Sequence, residues 1–177
     1  MCSSISSSSN VKTVEDLMEV FKQLNISVKT TSHKAVFTTT DPESDFVKAT
    51  ISGAHSKNLF LKSKKGKYYL VSMLQDKRLN VNALGKALNS GSLSFTSDPE
   101  LMSQLSLMPG HVTPFAVINN LGKNVQVILD KEMMEYDLLN FHPLRNDMTT
   151  TINSQELVKF LKYLGYDPLI LALEKKD

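Results

Sequence analysis

A lysine at the start of an apolar strand pattern is the first residue in this chain that could do chemistry. Lys57 precedes Asn58 and an apolar run over residues 59–61. Because residues two apart share a strand face, we predict that Lys57 lies on one face with Leu59 and Leu61. The ordinary interpretation is a lysine whose stem packs while its amine reaches water. The alternative is an ammonium group in a pocket, where it would bind a carbonyl or phosphate oxygen.

A glycine and a proline bracket a second candidate segment, a short loop. Gly110 can adopt a positive φ and allows a ligand to approach the backbone closely. Pro114 fixes its own φ and favours an extended Thr113. A loop of this rigidity can direct backbone N–H groups at a developing oxyanion. An ordinary connecting turn explains the same residues equally well.

The four histidines are scattered, and no two have the spacing of a metal site. They stand at positions 33, 55, 111 and 142, and the chain has one cysteine, at position 2. A closed zinc site needs several convergent ligands, so we predict neither a metal nor a cofactor. His142 taken alone is more typical of a structural histidine. The acyl-enzyme pattern SxxK occurs at residues 9–12, but it lies in a Ser-rich segment, and we attribute it to chance.

A cluster of lysines occupies a predicted hairpin turn. The cluster consists of Lys62, Lys64, Lys65 and Lys67, with Gly66 in the turn. One interpretation is a solvated turn. The other is a patch that contacts nucleic-acid phosphates, whose binding would weaken with salt.

Strands, which outnumber the helices, and the helices around them must position these candidate residues. Apolar residues at helical spacing predict a first helix capped by Thr13, and another is predicted between Ser154 and Gly165. Further helices are predicted to start at Asp41, at residue 82 and at Asp98. Strands are predicted over residues 26–31, 35–38, 57–63, 67–74, 93–95, 115–118, 125–129, 140–143 and 148–152. The strand over 67–74 is apolar on both faces, which predicts that both are covered.

This pattern predicts one α+β domain with a mixed, barrel-like curved β-sheet surrounded by helices. We assign residues 11–177 to the domain and residues 1–10 to a disordered Ser-rich tail. No stretch reaches the ~18 apolar residues of a membrane span, and the first residues lack the apolar core of a secretory signal. A net charge of +2 excludes a histone-like nucleic-acid binder, and the low cysteine content suits the reducing cytoplasm.

Six short segments, taken in their order along the chain, carry a resemblance to a known family. They are AVFT at 35–38, GAHSKNLFL at 53–61, LSF at 93–95, PGHVTPF at 109–115, VILD at 127–130 and NFHPLRND at 140–147. The series resembles the YbaK/ProX family of aminoacyl-tRNA deacylases. It is most similar to the ProX branch, which edits tRNA for proline mischarged with alanine. Each segment alone is weak, whereas their ordered combination over residues 30–170 is highly specific.

The resemblance implies roles for particular residues. Lys57 matches the invariant lysine of the family, Gly110 and Pro114 match its GxxxP loop, and His142 matches the histidine of its NFHP-like segment. We therefore expect Lys57, Gly110 and Pro114 to be catalytic. The expected substrate-binding residues are Asn58, His111, Val112, Thr113 and His142. The family uses no metal and no covalent enzyme intermediate.

The activity implied is hydrolysis of the ester that joins a wrong amino acid to tRNA, with alanyl-tRNA for proline as the substrate. The implied partners are the tRNA acceptor end, with the lysine hairpin against its phosphates, and prolyl-tRNA synthetase in cis or in trans. Relatives occur both free-standing and fused to that synthetase, and both arrangements stay open for this chain. The sequence is also compatible with deacylation of a different small amino acid, such as serine or cysteine, and with a non-catalytic module that binds tRNA or a synthetase.

Overall fold

The computed structural model describes residues 11–120 and 122–177, so the predicted tail over residues 1–10 lies outside the described residues. Five α-helices, eight strands and two 3₁₀ helices are found in the described part. In chain order they are α1 (Val14–Gln23), β1 (Lys29–Ser32), α2 (Pro42–Thr50), β2 (Ala54–Ser63), β3 (Tyr68–Leu74), α3 (Val81–Ala87), β4 (Leu93–Phe95), α4 (Asp98–Leu105), the 3₁₀ helix Pro114–Asn119, β5 (Val125–Asp130), the 3₁₀ helix Met133–Glu135, β6 (Leu138–Phe141), β7 (Met148–Asn153), α5 (Ser154–Tyr163) and β8 (Leu169–Leu171).

All eight strands join one mixed sheet. Its order is β1-β7-β6-β2-β3-β5-β8, and β4 pairs with β2 outside this path. The pairs β2–β6, β3–β5 and β5–β8 are parallel, and the others are antiparallel. The predicted fold class, α+β with a mixed curved sheet and surrounding helices, is confirmed.

Helices cover the sheet on both faces. On one face, α1, α4 and α5 pack onto the main apolar core, where the rings of Phe21, Phe115 and Phe160 lie 5.0–5.6 Å apart. On the other face, α3 packs on a second cluster that includes Val71 and Met73 of β3. The prediction that β3 is covered on both sides is therefore correct.

Helix α2 packs within a small apolar cluster of its own. Val47 on α2 contacts Val36 and Ile51, and the three are buried apart from the two larger clusters. Asp41 caps the helix by accepting from the N–H of Glu43 at 3.0 Å, as the Asp-Pro sequence predicts. The helix and the loop before it thus form a separate wall beside the sheet.

Two predicted strands are wrong. Residues 115–118 lie in the 3₁₀ helix Pro114–Asn119, because Pro114 has the φ of a first helical residue and the Thr113 hydroxyl accepts from the N–H of Phe115. Residues 35–38 form a loop that pairs with no strand, although the N–H of Val36 donates to the carbonyl of Asn146 at 2.9 Å.

Boundaries also shift elsewhere in the chain. The strand predicted over 26–31 begins only at Lys29, and α5 is capped by Asn153 rather than Ser154. The last strand, β8, was not predicted: its three residues are short for a sequence pattern. Gly165 has φ +89° just after α5, as expected for the residue that follows a helix.

One edge of β2 is only partly paired, and this gap creates the site. β3 pairs with β2 from Ser56 to Lys62 along one edge. Along the other edge, β6 pairs with residues 54 and 55, and β4 pairs with residues 61 to 63. Among the described residues, no strand pairs with residues 56–60 along that second edge. The sheet therefore has an opening in the middle of β2, and at one end of it the N–H of Thr96 donates to the carbonyl of Phe60 at 3.2 Å.

Candidate functional site

A cavity of about 290 Å³ lies at this opening. Five of the residues proposed from the sequence line it: Lys57, Asn58, Gly110, Val112 and His142. They come from β2, from the loop before the first 3₁₀ helix and from the end of β6. Further lining residues come from the loop before α2 and from α2 itself: Val36, Phe37, Thr38, Thr39, Ser44 and Val47. The fold thus brings four distant segments of the sequence to one small space.

Lys57 lines the cavity, and its amine is held in place by a hydrogen bond. Lys57 is half-buried on the strand face that carries Leu59 and Leu61, and its Nζ donates to the backbone carbonyl of Lys77. Burial lowers the pKa of Lys57, and repulsion by Arg78 adds to this, while Asp76 opposes it. The result is a cation with a defined position rather than a freely rotating surface lysine.

Hydrogen bonds with two serines orient the side-chain amide of Asn58. The hydroxyl of Ser72 donates to Asn58 Oδ1 at 2.6 Å, and Asn58 Nδ2 donates to Ser56 Oγ at 3.2 Å. The Ser56 hydroxyl in turn donates to the carbonyl of Asn140 at 2.7 Å. Within the described residues, the second hydrogen of Asn58 Nδ2 has no acceptor, so it can donate to a ligand.

Asn140 connects β6 to the start of β2. Its Nδ2 donates to the carbonyls of Ser52 at 2.9 Å and Ala54 at 3.3 Å, and its Oδ1 accepts from the Thr151 hydroxyl at 2.6 Å. The residue is 3% exposed. A buried amide with all these bonds fixes the two strands where the opening begins.

The Gly110 loop approaches the opposite wall closely. Gly110 has φ +82°, and a Cβ added there would lie 3.0 Å from the carbonyl oxygen of Phe37. The N–H of His111 donates to Met108 at 3.2 Å. In the part of the chain that the structure describes, no group accepts from the N–H of Gly110 or Val112. Both residues line the cavity, and their N–H groups keep their full capacity to donate.

When the imidazole of His142 is neutral, its Nε2 is a hydrogen-bond acceptor. Its Nδ1 lies 3.1 Å from the carbonyl oxygen of Met148, which can only accept, so Nδ1 carries the hydrogen and Nε2 the lone pair. Burial lowers the pKa of His142, and the hydrogen bond to Met148 opposes this. Repulsion from His33 and His111 lowers the pKa further.

Several other residues proposed from the sequence lie outside the cavity lining. Thr113 and Pro114 are buried behind the loop, and His111 Nδ1 donates to the carbonyl of Pro109 at 3.0 Å. The Lys62 amine binds both carboxylate oxygens of Glu100, at 2.7 and 2.9 Å. The remaining hairpin lysines, Lys64, Lys65 and Lys67, are exposed.

Sequence reasoning missed the polar residues that hold the site together. Ser56, Ser72 and Thr149 were not singled out, nor was Lys77. One signal was available: Ser72 interrupts the otherwise apolar and aromatic strand Tyr68–Leu74 and is fully buried there. Over residues 11–120 and 122–177, no group of three or more potential metal ligands is found, and no helix is long and apolar enough to cross a membrane.

Comparisons with known proteins agree on one family. The model of the aminoacyl-tRNA editing domain matches residues 8–160. Prolyl-tRNA synthetase associated domain-containing protein 1 of Xenopus laevis is 38% identical over 165 residues, which cover 90% of this chain and 96% of that protein. The prolyl-tRNA editing protein ProX of Acetoanaerobium sticklandii is 34% identical over 110 residues, which cover 62% of this chain and 67% of ProX.

Similarity to solved structures is consistent with these matches. A crystal structure described as a candidate trans-editing enzyme for prolyl-tRNA synthetase superposes with a TM-score of 0.69 at 16% identity. The superposition covers 92% of this chain and 97% of that chain, and at this identity it shows the fold alone. The family match spans most of the sequence, and the resemblance read from its six ordered segments is confirmed. The chain therefore belongs to the aminoacyl-tRNA editing domain family and is of the YbaK/ProX type.

Proposed function

We propose that this chain hydrolyses the ester bond of mischarged aminoacyl-tRNA, and that alanyl-tRNA for proline is its substrate. One observation carries the proposal: a single small cavity is lined by a fixed cation, free backbone N–H donors, an oriented amide and a neutral imidazole. These are Lys57, the Gly110 and Val112 backbone, Asn58 and His142. Ester hydrolysis needs such donors where negative charge develops on the carbonyl oxygen.

In the proposed reaction, a water oxygen bonds to the carbonyl carbon of the amino acid and gives up a proton. The carbonyl oxygen becomes an oxyanion, and the N–H groups of Gly110 and Val112 donate to it. The bond from that carbon to the ribose oxygen then breaks, and the ribose oxygen takes a proton. The neighbouring ribose hydroxyl assists in activating the water, so no side chain is assigned as the base.

Lys57 serves as an anchor in this proposal. Its amine attracts the carbonyl oxygen or the terminal phosphate, because a half-buried cation acts more strongly than one in bulk water. His142 Nε2 is a hydrogen-bond acceptor, which suits the α-ammonium group of the amino acid. The free N–H of Asn58 complements it as a donor. The cavity thus offers partners of both kinds to a small aminoacyl ester.

The cavity presents an apolar surface to the side chain of the amino acid. Its apolar wall includes Val36, Val47, Val112 and Phe141. A synthetic site built for proline rejects the smaller alanine by only about 1–3 kcal/mol of lost apolar contact. A second site that admits alanine and excludes the proline ring by size would remove the error.

The exposed hairpin lysines Lys64, Lys65 and Lys67 would contact the tRNA phosphates.

Single-turnover deacylation of alanyl-tRNA for proline tests the proposal. Lys57→Ala should slow hydrolysis by roughly 10²-fold, the typical effect of removing one electrostatic group from such a site. Lys159→Ala is the matched control, because Lys159 on α5 also donates its amine to a backbone carbonyl, that of Leu24, at 2.7 Å. Its rate should equal that of wild type. Equal rates for wild type and Lys57→Ala would refute the role of Lys57.

A panel of alanyl-, prolyl-, seryl- and cysteinyl-tRNA tests the substrate. Alanyl-tRNA should be hydrolysed fastest. Hydrolysis of prolyl-tRNA at the same rate would refute the exclusion of proline by size. Faster hydrolysis of the seryl or cysteinyl ester would show that serine or cysteine, rather than alanine, is the amino acid removed. Binding of tRNA without hydrolysis of any ester would refute catalysis and leave a binding module.

A further inference from the structure

Lys57 stands in a row of residues that crosses three strands on one face of the sheet. The pairing of β2 with β3 places Lys57 opposite Met73. The pairing of β3 with β5 aligns Ser72 with Leu129, and one further step aligns Met73 with Asp130. Successive residues alternate faces, and Val71 and Ile128 share a cluster, so Met73 and Asp130 lie on that same face. Lys57 and Asp130 therefore flank the fully buried Met73.

Lys77 bonds to both ends of this row. Its backbone carbonyl accepts from Lys57 Nζ on β2. Its own Nζ donates to Asp130 Oδ2 on β5 at 2.7 Å and to Glu132 Oε2 at 3.1 Å. The second carboxylate oxygen of Asp130 accepts from the N–H of Leu173 at 3.2 Å. Lys77, in the turn that follows β3, thus connects Lys57 to the carboxylate of Asp130 two strands away.

The pair between Lys77 and Asp130 is out of water. The side chains are 5% and 0% exposed, respectively, whereas the outer partner Glu132 is 45% exposed. Burying two charges costs several kcal/mol per ion, which their attraction offsets only when the geometry is good, so a buried ion pair is weak grounds for a stability role. A role in orientation accounts better for a lysine whose side chain binds Asp130 while its carbonyl binds Lys57.

We propose that Lys77 is a positioning residue for Lys57: its ion pair with Asp130 fixes the peptide whose carbonyl oxygen holds the Lys57 amine. The proposal rests on the proposed function of Lys57. A turn also restrains this peptide, since the N–H of Lys77 donates to Leu74 at 3.0 Å. The turn restrains the amide nitrogen side of the residue, and the ion pair restrains its side chain.

Variants of the pair separate positioning from stability. Lys77→Met leaves Asp130 buried without its main counter-charge and should destabilise the fold. Lys77→Met/Asp130→Asn removes both charges and should recover stability, because the new amide still accepts from Leu173. Under the proposal, the double variant stays slow in single-turnover deacylation by about 10- to 100-fold, the effect of a small displacement of a reacting group. Lys77→Arg, which can keep the pair, should retain most of the rate.

A double-mutant cycle assigns the effect to Lys57. In a Lys57→Ala background, adding Lys77→Met/Asp130→Asn should slow deacylation no further, because the group being positioned is already absent. A further fall equal to that seen in the wild-type background would overturn the proposal. So would a rate that returns to wild type together with the melting temperature in the double variant.

A chemical measurement tests the position without relying on activity. Limited acetylation followed by mass spectrometry gives the relative reactivity of each lysine amine, with Lys159 as the internal reference. The Lys57 amine should react several-fold faster in Lys77→Met/Asp130→Asn than in wild type, because the carbonyl no longer holds it. Unchanged reactivity overturns the positioning role. If the wild type hydrolyses no aminoacyl-tRNA, the proposed function fails, and the labelling still decides the inference.

Discussion

Replacing Gly110 with alanine tests the geometry of the site loop, and the chain contains its own control. Gly110 has φ +82° and faces the backbone of Phe37, whereas Gly66 has φ +83° and has nothing within 4 Å of the position of an added Cβ. Both substitutions impose the same backbone strain and remove the same freedom from the unfolded chain. The difference between the two variants therefore measures the contact with Phe37.

The expected magnitudes follow from these two surroundings. A left-handed backbone costs a residue other than glycine about 1–2 kcal/mol, so Gly66→Ala should lower the free energy of unfolding by that amount. Gly110→Ala adds a methyl group 3.0 Å from the Phe37 carbonyl oxygen, which overpacks the contact at a further cost of about 1–3 kcal/mol. For a chain of this size, each kcal/mol lowers the melting temperature by about 2–4 °C.

Two measurements on both variants complete the test. Calorimetry should show a larger fall in melting temperature for Gly110→Ala than for Gly66→Ala. Single-turnover deacylation should fall by about 10-fold or more for Gly110→Ala, because the loop must move away from Phe37 and carries its N–H groups with it. At saturating protein, the Gly66→Ala variant should deacylate alanyl-tRNA at the wild-type rate. Equal melting temperatures and equal rates for the two variants would refute the argument.

Three further predictions concern stability. The pKa of His142 is lower in the folded chain than in the unfolded chain, so the unfolded chain binds a proton first as pH falls below about 6.5, and the folded chain loses stability. Urea unfolding should therefore show a smaller loss of stability between pH 7.5 and pH 5.5 for His142→Gln than for wild type. The hydrogen bond from Lys62, together with those from Ser97, lowers the pKa of Glu100 to about 2. The stability that the ionised carboxylate contributes is present above about pH 4.5 and is lost as pH falls towards 2, so the stability of Glu100→Gln should depend less on pH in this range, as measured by acid unfolding. Tyr166→Phe leaves Oδ1 of the buried Asn120 without its donor, whereas the Asn120 carbonyl still accepts from the N–H of Lys123. The change should cost about 1–3 kcal/mol in chemical denaturation, and no loss would show that water replaces the hydroxyl.

Local sequence rules correctly predicted the helix starts and the turn whose conformation is determined by residues close in sequence. Thr13 caps α1, Asp41 and Pro42 begin α2, and the β2–β3 hairpin turns at Gly66. In each case the deciding hydrogen bond or backbone angle lies within a few residues of the signal. The strand predicted over 115–118 was wrong because apolar residues fit a buried 3₁₀ helix as well as a strand, and Pro114 decides between them.

Only part of the site could be predicted from the sequence. The family segments named Lys57, Gly110 and His142, and the structure brings these three to one cavity. The hydrogen bonds that orient them come from residues distant in sequence: Lys77 carries the bond to Lys57, and Ser72 orients Asn58 across a strand pair. Such partners depend on strand register, which single positions in a sequence do not reveal.

The opening along β2 has a consequence for the solubility of the protein. An exposed strand edge is a template on which another chain can add a strand and begin aggregation. Here the free edge spans only residues 56–60, and β6 and β4 close it at both ends. The wall that includes Phe37 stands in front of it. A slot this short with closed ends leaves no room for an incoming strand to extend, so the unpaired backbone beside the cavity is not offered to other copies of the molecule.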